Sequence, residues 1–482
     1  MFPWIRSFLR RCSMWNIGAF LVLSAGAPDF IQARENGNEE ASEVLPPVSS
    51  APPESFFLPV SSSSAEAGRY TLQGLHHLIC SWDEAAFRSF SKALEYDPDC
   101  FMANWGVVFS SFGSDHLKEL DEALRKIRSL ARKKELPALE ESYCNILALL
   151  IGEGREAAAL ALEEHSELFR RDTFSLLLRI LLLRDGYTLL NTPLPGQRKA
   201  IELSDALLER FPAMHAALFQ RALLEECAPE VSGRSFECAV QAANLAPEYA
   251  PAMHLRGILQ FRRARYSEAA SSFARAASLT RQTAKAQSMT DDDLHISALL
   301  YLSASQWMDG DKKASLRTRN LLRSFPIDWT RPYARGTRLQ IWEVRSLPAR
   351  TALAGDSIPD SGDIRACMKA FSPPPPSIEN DPTAAYSRTL RCCMEARRLS
   401  RTEKDHGLQF LREAEQNFKV LKAEKNLPGN RTWLSQIKRA EEAARVILLK
   451  TRALYADSPE QWRKDAEETQ KLSSNFLPPA VL

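Results

Sequence analysis

Apolar residues recur at helical spacing along most of this chain. Between Gly74 and Pro98, the residues Ala86, Phe90 and Ala93 fall on one face of a helix. The same intervals return downstream at Gly257, Ala269, Phe273 and Ala276. The pattern predicts small helical hairpins: Gly74 sits where two helices come closest, Ala86 takes the matching place on the second helix, and Asp97-Pro98 ends it because proline lacks the N–H. No convincing alternation of apolar and polar residues bounded by tight turns argues for strands, so the expected class is all-α.

Other segments repeat the second helix of this unit. Ala200, Leu207, Leu208, Phe211 and Pro212 match Ala314, Leu321, Leu322, Phe325 and Pro326 at equal spacing. Pro212 and Pro247 bracket a further unit with Ala239 and Ala242 at its small positions. The tetrapeptide Pro-Ala-Met-His occurs at Pro212–His215 and again at Pro251–His254, but its offset is about one helical turn longer than the proline spacing, so it does not set the register. Gly152, Gly154 and Gly186 are expected to end helices.

The run LHHLICSWDEAAFRSFSKALEYDPD resembles the tetratricopeptide repeat, and MHLRGILQFRRARYSEAASSFARAASL is a second copy in which Arg281 stands in place of the closing proline. The resemblance implies a tetratricopeptide-type helical-hairpin solenoid, similar to exported bacterial members of the family, over residues 67–345, with roughly seven hairpins. It also implies a groove lined by the first helices. By register this places Trp105, Gln220, His254, Phe261, Arg262, Gln306 and Trp307 toward a bound peptide or helix, although Trp105, like Trp82, also fits a packed core. The Lys and Asn residues with which some members clamp a C-terminal carboxylate are missing, since Thr71 and Leu75 stand there.

Outside the repeats, composition marks boundaries. Arg6, Arg10 and Arg11 before the apolar stretch Ile17–Ala27 read as a signal peptide or N-terminal anchor over 1–33. Residues 34–66, rich in Ser, Pro, Glu and Ala, read as a flexible tether. Pro348, Gly355, Pro359, Gly362 and Pro373–Pro376 mark a linker over 346–380, and 381–476 reads as a charged helical region. The leader predicts an exported protein, periplasmic or associated with the cell envelope.

Charge and chemistry narrow the function. The net charge is only +2, and the densest basic cluster, Arg125 to Lys134, has no interleaved aromatics and reads as a solvated helix face, so no nucleic-acid partner is expected. A membrane is expected only through an uncleaved N-terminus. There is no phosphate-binding loop and no His-Glu-x-x-His; Gly355-Asp356-Ser357 lacks the strand and helix a nucleophile elbow needs. No catalytic residue, metal site or cofactor is expected. Asp291–Asp293 reads as a helix start. Of nine cysteines, Cys80–Cys100 and Cys227–Cys238 could bridge, with buried structural thiols the competing reading. His77 of the pair His76-His77 takes a packed aromatic position, while His76 stays open.

The function these features predict is a non-catalytic protein-interaction scaffold. Two rivals stand beside it: a structural or self-assembling envelope protein, and an enzyme with a catalytic region in 381–476.

Overall fold

The computed structural model describes residues 56–111, 116–133, 136–188, 190–226, 228–286, 293–325, 327, 329, 335–354, 381–424, 434–456, 458–461, 463, 464 and 467. The expected leader, most of the tether, Cys227, Cys367 and the stretch 355–380 lie outside them. Among the described residues no strand forms, and one isolated bridge joins Tyr187 to Pro193. None of their helices is long and apolar enough to cross a membrane.

The helices pair in sequence order. They are α1 (Ala65–Ile79) with α2 (Asp83–Tyr96), α3 (Phe101–Ser111) with α4 (Leu117–Lys133), α5 (Ala138–Gly152) with α6 (Arg155–Leu168), and α7 (Thr173–Leu183) with α8 (Pro195–Arg210). Next come α9 (His215–Leu223) with α10 (Gly233–Leu245), and α11 (Ala250–Arg262) with α12 (Tyr266–Ala286). These hairpins form a first compact unit up to Leu279, inside α12. A second unit, from Thr280, holds α13 (Asp293–Met308), α14 (Lys312–Ser324), α15 (Arg335–Ala354), α16 (Pro382–Leu399), α17 (Lys404–Glu424) and α18 (Leu434–Ala453).

The repeat positions do the steric work their spacing implies. A Cβ on Gly74 would lie 2.6 Å from the Phe90 ring, and one on Gly257 would lie 2.8 Å from Phe273. A Cβ on Gly106 of the next hairpin would also clash with the Phe90 ring. Ala86, Phe90, Ala93, Ala269, Phe273 and Ala276 are all fully buried. The agreement extends to the turns. Ser81 and Ala264, each seven residues after its glycine, adopt left-handed φ values of 56° and 57°. Trp82 N–H donates to His77 C=O at 2.9 Å, and Arg265 N–H to Gln260 C=O at 2.9 Å.

Several boundaries differ from expectation. The hairpin α13–α14 groups with the C-terminal helices in the second unit. Leu321, the counterpart of buried Leu207, is 45% exposed. With Arg281 in place of proline, α12 runs on to Ala286, whereas α2 stops before Pro98. Helix α15 continues through Pro348 to Ala354, so the first residues of the expected linker are helical. In the second unit Leu339, Trp342, Tyr386, Leu390, Cys393, Leu421, Ile437 and Ala444 share one core.

The end of the expected tether is not loose. Phe57 N–H donates to Thr173 Oγ1 at 2.8 Å and Thr173 N–H donates back to Phe57 C=O at 3.1 Å. Ser61 N–H donates to Glu140 at 3.1 Å, and Ser62 Oγ and Ser63 N–H reach Asp97 Oδ2 at 2.6 and 2.8 Å. Ser64 caps α1, accepting from Ala67 N–H, so helix starts before 67. Each bond uses a polar group at a helix end that would otherwise face only water, which is why a Ser-rich stretch of low apolar content docks here.

Candidate functional site: the inner face and the rim of the first unit

The first helices of successive hairpins carry the residues expected to line a groove, and in the first unit they pack against one another. Trp105 on α3 is fully buried, its ring 5.0 Å from Phe109, 5.8 Å from Tyr143 on α5 and 6.2 Å from Phe174 on α7. Gln220 on α9 is also fully buried and donates to the C=O of Ile79 on α1. His77 Nδ1 and the Tyr249 hydroxyl meet at 3.0 Å, joining α1 to the start of α11. Trp105 and Gln220 therefore cannot touch a ligand, and their assignment to a groove is corrected. Converging first helices bury what would line an open concave face.

The remaining expected groove residues scatter. His254 is partly buried against Phe273, 5.5 Å between rings, and burial lowers its pKa to about 4. Phe261 packs edge-on against Tyr266 at 5.3 Å, and Arg262 is exposed but donates to Ala228 C=O. In the second unit Gln306 accepts from Thr318 Oγ1 at 2.8 Å, and Trp307 is exposed beneath Lys312 and Arg319, 5.3 and 5.1 Å from its ring centre.

Sequence spacing missed a cleft of about 1040 Å³ on the rim of the first unit. The docked segment supplies Phe56, Phe57 and Leu58, and α1 supplies Leu72. The α6–α7 turn adds Arg170 and Arg171, α8 adds Arg210, and the α8–α9 turn adds Phe211 and Met214. Arg170, Arg171 and Arg210 are exposed, and no carboxylate pairs with them among the described residues. An apolar floor with unpaired guanidinium groups suits a ligand carrying both apolar and anionic groups. The cleft escaped notice because its walls come from segments more than a hundred residues apart.

Two other clusters gather polar and charged side chains. Ser142 Oγ lies 2.8 Å from His165 Nδ1, and His165 Nε2 lies 2.9 Å from Asp172 Oδ2, a chain of catalytic appearance. Tyr143 O–H donates to the same Asp172 oxygen at 2.6 Å, however, and Asp172 caps α7 through Ser175 N–H. His165 and Asp172 are buried, so this network ties α5, α6 and α7 together and offers no place for a substrate. On α4, Arg125 pairs with Asp121 and Lys126 with Asp99, so part of the basic cluster is ion-paired. Cys80 and Cys100 are separate buried thiols, as are Cys144, Cys238, Cys392 and Cys393.

No family model and no curated protein matches the chain. Among solved structures it is similar to the Naa15/Naa10 complex bound to HypK-THB, at 13% identity over 88% of this chain and 73% of that one, with a TM-score of 0.30. It is also similar to the tetratricopeptide repeat domain of P58(IPK), at 14% identity over 86% of this chain and 100% of that one, with a TM-score of 0.20. Likenesses so distant say nothing of activity, whereas the glycine–phenylalanine contacts and the matching turns are features of this chain itself. The fold is an all-helical array of hairpins.

Proposed function

We propose that this chain is a non-catalytic protein-interaction scaffold, exported to the periplasm or cell envelope, that grips an extended peptide segment at the rim of its first unit. The observation that carries this reading is the segment Phe56–Ser63. The hairpins already hold an extended stretch of chain through its backbone, using Thr173, Glu140 and Asp97 at helix ends. Backbone bonding of this kind accepts many sequences, and neighbouring side-chain sites then select among them. The cleft beside Phe57 supplies such a site, with Phe211 and Met214 for an apolar side chain and Arg170, Arg171 and Arg210 for an acidic one. The partner is accordingly a protein segment with an aromatic residue flanked by Glu or Asp.

The test is a fluorescence-anisotropy titration of the full chain with short labelled peptides: one bearing Phe between two Glu, one with Gln for each Glu, and one with Ala for Phe. The expected result is weaker binding by about tenfold for each altered peptide and for the Arg171→Glu/Arg210→Glu variant with the first peptide, a difference near 1.4 kcal/mol. Equal affinity for all peptides, or unchanged affinity in the folded double variant, contradicts the reading.

A further inference from the structure

Behind the rim, the junction of α1, α9 and α11 holds a second cluster with a different chemistry. His76 lies in the last turn of α1, Cys80 caps that helix four residues on, and His215 opens α9. Their ligating atoms all fall within 4.8 Å of one another, and all three residues are buried. His76 Nε2 is 3.6 Å from Cys80 Sγ. Tetrahedral geometry with the usual metal–sulfur and metal–nitrogen bond lengths separates two such ligands by about 3.6 Å.

From this geometry we infer that His76, Cys80 and His215 form a binding site for a single soft cation, monovalent copper.

A packed aromatic cluster is the competing explanation, since the His76 ring lies 5.2 Å from His215 and 5.3 Å from Tyr249. Packing alone leaves the polar atoms unexplained. His215 Nδ1 and Nε2 and His76 Nδ1 are buried with no hydrogen-bond partner, whereas nearby His77 bonds to Tyr249. Buried imidazole nitrogens are ordinarily satisfied, and a cation supplies what these lack. Each neutral imidazole offers a ring-nitrogen lone pair to a cation.

The donor set selects the ion. Two imidazoles and one thiol suit copper(I) or zinc, and no Asp or Glu shares the cluster. Of the three ligands only Cys80 can carry negative charge, so a monovalent ion with its thiolate is neutral overall, while a divalent ion would leave a net positive charge in the core. The Cys80 thiol proton leaves to solvent as the sulfur–metal bond forms. His77 and Tyr249 stand behind the site and fix its walls.

The experiment is anaerobic refolding of the full chain with copper(I), competed by bicinchoninate, beside a Cys80→Ser/His215→Phe variant. The wild type is expected to retain one equivalent more copper than the variant. X-ray absorption of that copper is expected to show one sulfur and two nitrogen neighbours. Equal copper in both proteins, or a sulfur-only spectrum typical of the other buried thiols, overturns the assignment. If the variant fails to fold, the wild-type spectrum decides alone. Retention of zinc and not copper under the same competition also overturns it, because the charge argument then fails.

Discussion

At the scale of single residues, the packing of Gly74 and Gly106 against the Phe90 ring leaves no room for a methyl group. Phe90 is fully buried and cannot swing away, so Gly74→Ala is expected to cost about 1–3 kcal/mol, visible as a lower Tm in thermal unfolding. Gly152→Ala, where an added Cβ meets nothing within 4 Å at the end of α5, is expected to be neutral or to stabilise by less than about 1 kcal/mol. These positions were legible in the sequence because they answer to local sterics that repeat with the hairpin. The fates of Trp105 and Gln220 were not legible, since helical register says which face a side chain occupies and not whether the next helix covers that face. His215 was hidden for a related reason: its tetrapeptide repeats at His254, but His215 opens α9 while His254 lies a turn inside α11. His254 itself gives a pH test. Its folded pKa, lowered by burial to about 4, lies below the unfolded value, so the unfolded chain binds more protons between about 6.5 and 4. Stability from this residue is complete above the unfolded value and is lost as pH falls toward 4. Asp83, raised to about 7 by burial, acts in the opposite direction but is common to both proteins in a comparison. Wild type is therefore expected to lose up to about 3 kcal/mol relative to His254→Leu between pH 7 and pH 4, measured by denaturant unfolding at each pH.

At the scale of elements, caps and buried ion pairs decide where helices begin and how they hold. Asp381 illustrates both roles. Its Oδ1 accepts from Thr383 and Ala384 N–H at 2.8 and 3.1 Å to start α16, and its Oδ2 accepts from Arg338 on α15 at 2.7 and 3.2 Å, with both side chains only 2% exposed. Asp381→Ala strands a buried guanidinium and removes the cap, and is expected to destabilise the second unit by about 3–5 kcal/mol in chemical denaturation. Arg338→Met with Asp381→Asn, which removes the charge on both sides, is expected to cost less. Proline spacing predicted where α2 and α8 stop, yet Pro348 did not end α15. The second helices α2, α8, α10, α12 and α14 were readable from their small and apolar positions. The pairing of Arg338 with Asp381 was not, because the two are separated by a proline-rich stretch that the spacing argument treats only as a break.

At the scale of the whole molecule, the hairpins divide between two compact units, and the first closes its inner face with its own rings and amides. At the rim of such an array, helix ends present unpaired backbone and side-chain groups, which is where the proposed recognition surface lies. The docked stretch Phe56–Ser63 is then a segment of the chain held as a partner segment would be, beside a cleft lined by Arg170, Arg171 and Arg210. Burial works to raise the Asp97 carboxyl that anchors its far end, and the hydrogen bonds from Ser62, Ser63 and Asp99 outweigh it and hold the group below the usual carboxylate range. Composition alone gave this stretch as loose tether, because a census of Ser and Pro weighs apolar content and cannot see helix-end acceptors waiting for an amide. Hydrogen exchange of the full chain at neutral pH tests this most directly. The amides of Phe57, Ser61 and Ser63 are expected to exchange slowly, together with that of Thr173; exchange of all three at the rate of an unstructured chain would contradict a rim that grips extended backbone.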